Sequence, residues 1–364
     1  MDYSHLTNES KPLSEKTTKL TDFPYSSPGY GRKVAVVAIG SAGCKIAAQL
    51  SRESKLLEHF LYVTSDEHDV ANVNHGEKIV IGSRAGKISP YQVRGSALKE
   101  LPRIRKQLND SEIVLVIAGL GGCDGSGLAP LIANEARAIG ALTVAIVVMP
   151  YIFEKSKHFY AGSALKTVKR LASGVVVIDN DELLQQDMSI IDAYAQVNQK
   201  ISLALNKLLG SAQEHEFSIG LSKLLSFLKT NSYSVLCVGD GPLSEHREAV
   251  MNAASHFRRT VDPSEASSSL VHLCSEKSIT MTDLSNSVGR LSGILGSGSM
   301  QIEFGLSANS TTVTTAIIMA TGFRSTKFDS YDPVDNALGV CSGNLESSFD
   351  SSLVLEGLLF NLES

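Results

Sequence analysis

The sequence predicts an α/β fold in which a parallel-sheet domain is joined by a long central helix to a smaller mixed α/β domain. Three observations carry this. Apolar runs of strand length alternate with helical patterns from Lys33 to Asn180. Those strands are apolar throughout rather than at every second position, as in a parallel sheet covered on both faces. A long amphipathic stretch from Ile190 to Leu209 then separates this half from a second group of strands.

The elements follow in order. Residues 1–31 are polar, with Pro12, Pro24 and Pro28, and read as a flexible arm. "KVAVVAIG" is a strand ending in Gly40, and "SAGCKIAAQL" has the apolar spacing of a helix. "HFLYVTSD" and "KIVIG" are strands, "SPYQVRGSALKELPRIRKQL" is mainly helix, and "SEIVLVIAG" is a strand. "GSGLAPLIANEARAIG", "LTVAIVVMP", "HFYAGSALKTVKRLA" and "GVVVIDN" continue as helix, strand, helix, strand. The central helix places Ile190, Ile191, Tyr194, Val197, Ile201, Leu205 and Leu208 at helical spacing and stops at Gly210. After the polar loop "SAQEHEF" come a helix, "SIGLSKLLSFLKT", and the strands "YSVLCVGDG", "SLVHLCS", "SMQIEFGLS" and "TTVTTAIIMATGF". The predicted boundaries are 32–185, 186–210 and 211–324, followed by a flexible tail, 325–364.

Composition excludes several classes. The 364 residues carry 33 basic against 38 acidic side chains, a net charge of −5, so no broad nucleic-acid or membrane surface is expected. No apolar run approaches the roughly 18 to 20 residues that span a bilayer, so direct membrane insertion is not expected. The five cysteines are scattered without a C-x-x-C pair, which points to a reducing cytoplasm. Histidines are equally dispersed, against a cluster of paired metal ligands.

Two glycine turns, Gly40–Gly43 and Gly119–Gly127, each follow a strand and precede a helix. Bare backbone N–H groups at a helix N-terminus suit a phosphate, and strand ends of one parallel sheet point the same way. Close strand–helix packing is the alternative for the first turn. No G-x-x-x-x-G-K-[ST] string exists, which excludes a Walker loop. A nicotinamide-binding reading has Asp66 near the expected ribose acid, but Gly40, Ala42 and Lys45 form only a degraded G-x-G-x-x-G. An NAD(P)-dependent oxidoreductase is the alternative function on that reading.

"AGLGGCDGSGLAP" resembles the G-G-G-T-G-[ST]-G signature of the FtsZ/tubulin superfamily. "VAVVAIGSAGCKIA" is similar to its first nucleotide loop, "LTVAIVVMPYIFE" to its strand and P-F-x-F-E, "IDNDELL" to its I-P-N-D-x-L-L, and "TAIIMATGF" to its near-final strand. The similarity runs in order from Lys33 to Phe323 and is nearer to prokaryotic FtsZ, of an archaeal type, than to eukaryotic tubulin. The resemblance implies a GTP-binding cytoskeletal protein acting in cell division or membrane constriction, forming head-to-tail filaments with GTP or GDP and Mg²⁺ between subunits. It places Gly40, Ser41, Ala42, Gly43 and Lys45 on the first loop, and Gly121, Gly122, Cys123, Asp124, Gly125, Ser126 and Gly127 around the phosphates. Glu154 falls on the ribose acid, Asn180 on the asparagine after the sixth strand, and Asn198 or Gln199 on the guanine reader.

The chain departs from the pattern at three places. Asp124 stands where the family has threonine and Cys123 where it has glycine. A carboxylate roughly 4 Å from a phosphate charge costs about 1 kcal/mol in water-like surroundings and ~4 kcal/mol at an effective dielectric near 20. Asp124 is therefore a Mg²⁺ ligand, a mark of a site that no longer needs nucleotide, or a helix N-cap. In the loop that completes the neighbouring subunit's site, the N-x-D-F-x-D pattern becomes "EHEFSI", with Glu216 at the first acid and Ile219 at the second. Isoleucine cannot orient a water, so hydrolysis is expected to be slow or lost, with Glu214 a substitute of uncertain reach. His158 falls where an arginine is common. These departures keep a nucleotide-independent regulatory paralogue open as a second alternative.

The end, "SSFDSSLVLEGLLFNLES", joins a polar leash to Leu353, Val354, Leu355, Leu358, Leu359, Phe360 and Leu362. It reads as a hook for a membrane-tethering or regulatory division protein, placing the chain in the cytoplasm at the division site; packing in cis is the alternative. Deleting residues 353–364 separates the two. A hook predicts an unchanged melting temperature with partner binding lost, and a cis helix predicts a destabilised monomer.

Overall fold

The computed structural model describes residues 33–54, 57–82, 89–184, 189–209, 221–243, 245–295, 300–308 and 312–332. The N-terminal arm, the loop bearing Glu214, Glu216 and Ile219, and the terminal segment 333–364 lie outside them.

Ten strands form one sheet: β1 (Val34–Ile39), β2 (His59–Thr64), β3 (Glu77–Val80), β4 (Ile113–Gly119), β5 (Leu142–Met149), β6 (Gly174–Asp179), β7 (Tyr233–Pro242), β8 (Ser268–Ser275), β9 (Gln301–Ala308) and β10 (Val313–Phe323). Their spatial order is β3-β2-β1-β4-β5-β6-β7-β10-β8-β9. Pairing is parallel from β3 through β7, antiparallel on both sides of β10, and parallel again between β8 and β9. The β6–β7 pairing, with Val175 opposite Tyr233, carries the sheet without a break into the second half.

The continuous apolar strands are buried on both faces, as their composition requires. Along β1, Ala35, Val37 and Ile39 enter one core while Val36 and Ala38 enter the other. The first core is covered by α2 (Pro90–Ala97), α3 (Leu101–Leu108), α4 (Cys123–Ala138), α5 (Lys155–Leu171), α9 (His246–Thr260) and α10 (Met281–Leu295). The second is covered by α1 (Gly40–Glu53), α6 (Asn180–Leu183), α7 (Ile190–Leu209) and α8 (Leu221–Leu228). The central helix α7 lies along α1, where the Ser202 hydroxyl donates to the Ile46 carbonyl at 3.4 Å.

Two features differ from the sequence reading. Helices α9 and α10 were not expected. Their buried faces mix small and polar residues (His246, Ala249, Ala253, Ala254, Thr260, Ser287) with Val250, Phe257, Leu291 and Leu295, which weakens the apolar period. Residues 326–332, assigned by sequence to the tail, are folded against α5. Thr326 and Asp329 form a capping box on a single 3₁₀ turn, Phe328 is fully buried, and Lys327 pairs with the buried Asp179 at 2.5 Å. Residues 326–332 therefore belong to the fold and not to the tail. The reason is that one aromatic and one cation in a Ser/Asp-rich stretch find a cavity and a buried carboxylate, which composition alone does not reveal.

Phe328→Ala should cost about 3–5 kcal/mol, the usual price of emptying a buried aromatic site. Urea denaturation measures it; a loss under about 1 kcal/mol, typical of an exposed position, would return this turn to the tail.

Candidate functional site

The chain leaves β1 toward β2 and β3 on one side and leaves β4 toward β5 and β6 on the other, so the strand order reverses at the β1–β4 pair. Ligands of open α/β sheets bind outside the strand ends at such a point. Both glycine turns sit there and touch. Gly40, with φ +64°, lies so close to α4 that a Cβ on it would stand 2.9 Å from the Cβ of Asp124. A Cβ on Gly119 would stand 2.9 Å from that of Ala42. Gly43 serves the packing alternative: a Cβ there would lie 2.3 Å from the Ile117 carbonyl oxygen. Gly127 is equally close to α2, whose Arg94 Nε–H donates to the Gly127 carbonyl at 3.1 Å. Gly122 alone of the second turn faces open space, its nearest neighbour being the Gly119 oxygen at 4.0 Å.

The Ser126 hydroxyl accepts the Gly121 N–H at 2.8 Å and so braces the turn from inside. Ser41 and Lys45 are exposed, Ala42 is half-buried, and Cys123 packs against the first core. Lys45 lines a cavity of about 400 Å³ running along α1, with Gln49, Arg52, His68, Asp69 and Asn72.

Asp124 is not the N-cap. Gly122 holds that position without a side-chain cap bond, and Asp124 sits in the first turn with its carboxylate aimed sideways at the end of β2. Its Oδ1 accepts from the Ser65 hydroxyl at 2.6 Å; its Oδ2 accepts from the Ser65 N–H at 2.9 Å and lies 3.0 Å from the Thr64 hydroxyl. That hydroxyl also lies 2.7 Å from Asp69 Oδ2, so its single proton serves one carboxylate at a time. Burial pushes the nearby Cys44 thiol well above its ordinary range, and the negative charges of Asp69 and Asp124 push it further. Among the described residues no three His, Cys, Asp or Glu side chains are grouped to hold a metal by themselves. Two carboxylates beside a phosphate cradle do fit Mg²⁺, which is commonly held by one or two carboxylates together with substrate phosphates.

The turns after β5 and β6 form the other wall. Glu154 accepts from the Tyr151 N–H at 3.0 Å, from Lys157 Nζ at 2.5 Å and from the Tyr194 hydroxyl at 2.6 Å. Burial raises this carboxyl, but the bonds from Lys157, Tyr194 and the Tyr151 N–H outweigh it and hold Glu154 below its usual range. Tyr194 packs edge-on against Tyr151 at 5.1 Å, and Asn198 follows it one turn later on the same face of α7. Gln199 points away and is exposed, so Asn198 is the one of the pair that shares a face with Tyr194. Asn180 begins α6, and Asp181 beside it accepts the Ile152 N–H at 3.0 Å, tying the two turns together. His158 is stacked flat on Tyr331 at 3.8 Å, its Nε2 3.1 Å from the Tyr151 carbonyl. Asp66, the ribose acid of the nicotinamide reading, instead caps its own 3₁₀ turn through the His68 N–H at 3.0 Å. Thr64, Ser65, Lys157 and Tyr194 were missed by sequence reasoning, since their roles depend on contacts far along the chain.

This wall offers an acid, Glu154, and an amide, Asn198, and the glycine turns add the N-terminal ends of α1 and α4. Such a set suits a ligand carrying an anion, hydroxyls and a polar ring edge.

Residues 33–187 match the Tubulin/FtsZ family, GTPase domain. Cell division protein FtsZ 1 of Pyrococcus horikoshii is 35% identical over 161 residues, which is 42% of this chain and 43% of that protein. Cell division protein FtsZ of Aquifex aeolicus is 27% identical over 233 residues, 61% and 63% of the two chains. The chain thus spans less than two thirds of either relative. An FtsZ dimer of M. jannaschii superposes with a TM-score of 0.69 at 22% identity, over 85% of this chain and 93% of that one. A GTPγS-bound protofilament of CetZ2 from Haloferax volcanii gives 0.68 at 20% identity, over 84% and 99%. At these identities the likeness to the solved structures is one of fold.

Asp124→Ala removes the carboxylate that joins α4 to β2 and should cost about 1–3 kcal/mol in denaturant. Combined with Ser65→Ala, the two losses should sum to less than their separate values, because they share bonds. Full additivity would show that this link carries no energy.

Proposed function

The chain is a divergent member of the FtsZ/tubulin superfamily, and from that premise we propose a GTP-binding cytoskeletal protein that assembles head to tail. The observation that carries the reading is the contact of the two glycine turns across the β1–β4 pair, with Gly40 against Asp124 and Gly119 against Ala42. Phosphates of GTP or GDP would lie on the backbone of residues 40–43 and 121–125, the ribose at Glu154, and guanine at Asn198. Mg²⁺ would be held by the phosphates, with Asp124 and Asp69 the nearest carboxylates, and would supply charge neutralisation.

Assembly finds support in the surface around this site. Ile152, Phe153, Ile190 and Ile191 are between 60% and 82% exposed on the turn after β5 and the start of α7. Apolar groups grouped so densely are commonly covered by a partner, here a second copy of the chain. A role in cell division or membrane constriction follows the named relatives, with the terminal segment as the link to a tethering or regulatory protein. No helix among the described residues is long and apolar enough to cross a membrane. Hydrolysis would be slow or absent because Ile219 replaces an acid.

One observation favours a second reading, a nucleotide-independent regulatory paralogue. Asp124 is already satisfied by Thr64 and Ser65, so this corner of the site is complete without a ligand. The oxidoreductase alternative is not favoured, because Asp66 is spent on its own turn.

Calorimetric titration with GTP and GDP, with and without Mg²⁺, tests the proposal on the wild type and on Asp124→Thr. Binding should be measurable in both and tighter for GTP in the variant, by about tenfold or less because protein donors offset part of the carboxylate's charge. If neither chain binds either nucleotide, the paralogue reading stands instead.

A further inference from the structure

Glu154 is saturated by donors of the protein itself: an ammonium, a phenol and a backbone N–H all point at one carboxylate. A ligand hydroxyl can take its place there most readily by displacing the one donor on a flexible, partly exposed stem, which is Lys157. The displaced ammonium then needs a new anion.

The geometry supplies one nearby. Lys157 leaves the first turn of α5 against the second glycine turn: a Cβ on Gly121, where φ is +91°, would lie 2.8 Å from the Lys157 Cβ and 3.1 Å from its carbonyl oxygen. The side chain therefore starts at the edge of the cradle. His158, where the family resemblance places a cation, is committed elsewhere: its ring is stacked on Tyr331, with Nε2 facing the Tyr151 carbonyl. On the other side of the cradle stand Asp124 and Asp69, so an incoming phosphate meets negative charge there, while the lysine of the first turn, Lys45, is exposed along α1 beside Asp69.

We propose that Lys157 is the cation of the phosphate site, held on Glu154 until a bound nucleotide exchanges the two. The nucleotide's hydroxyls would take the ammonium's place on Glu154, and the ammonium would turn to the phosphates across Gly121. This rests on the nucleotide reading above. The exchange makes the two halves of the ligand cooperate. A nucleoside alone must push Lys157 into water, and a phosphate alone must draw it off Glu154. Only a ligand carrying both leaves every charge paired.

The test titrates wild type, Lys157→Met, Lys157→Arg and His158→Ala with guanosine, GDP and GTP at two ionic strengths, after thermal melts establish that each variant folds. Lys157→Met should weaken GTP by about tenfold or more, tighten guanosine by about twofold or more because no ammonium then has to leave Glu154, and flatten the salt dependence of GTP binding. Lys157→Arg should restore most of the GTP affinity, and His158→Ala should change it little. The assignment is overturned if Lys157→Met binds GTP as the wild type does, or if GTP and guanosine weaken together, which would mark loss of structure around Glu154. A wild type that binds guanosine but not GTP overturns the exchange alone; one that binds neither overturns the nucleotide reading as well.

Discussion

The parallel pairing of β1 with β4 is the constraint on which the rest depends. It places two strand ends side by side at the point where the sheet reverses direction. The turns that follow can then approach only if they lack side chains. A Cβ at Gly125 would fall 1.9 Å from the Gly119 oxygen, so glycine there is required by packing before any ligand is considered. The packing alternative holds at Gly43 and Gly125, which close the fold, while Gly122 faces open space.

The charges around these turns follow a second rule: each buried or half-buried acid is met by protein donors. Asp124 is held by Thr64 and Ser65, Glu154 by Lys157 and Tyr194, Asp179 by Thr260 and Lys327, and Glu182 by Arg259. Hydrogen bonds and ion pairs offset part of the cost of taking such a carboxylate out of water, and at Glu182 burial and the neighbouring Asp179 still outweigh Arg259 and raise the carboxyl. The two bonds from Ser65, joined by Thr64 when its proton is not on Asp69, draw the charge of Asp124 toward β2, so the cost of a bare carboxylate is an upper bound there. The neutral Tyr151 hydroxyl, by contrast, is buried without a partner, and burial, then Glu154 and Asp181, push its pKa up to about 12.

Across the sheet, the second half of the chain is bound to the first through backbone hydrogen bonds and through the turn at 326–332. Lys327 reaches Asp179 at the end of β6, and Tyr331 covers His158 on α5. These pairs, far apart in sequence, fasten the turn at 326–332 to α5 and to the end of β6.

The sequence by itself determined what depends on local pattern. Continuous apolar runs gave the strands, helical spacing gave α1, α4, α5 and α7, and the order of motifs placed Gly40, Asp124, Glu154, Asn180 and Asn198 at one end of the sheet. It could not show α9 and α10, whose buried faces mix small and polar residues with the large apolar ones, nor the packed turn around Phe328. Tertiary structure alone decided which donors meet each acid, because Asp124 and Ser65, or Glu154 and Tyr194, are distant along the chain and are joined only when strands and helices stack. It also set Asn198, and not Gln199, on the face of α7 that bears Tyr194, and sent His158 to Tyr331 while Lys157 stayed by the glycine turn. Hydrogen bonds and ion pairs depend on distance in space, and only the folded sheet sets that distance.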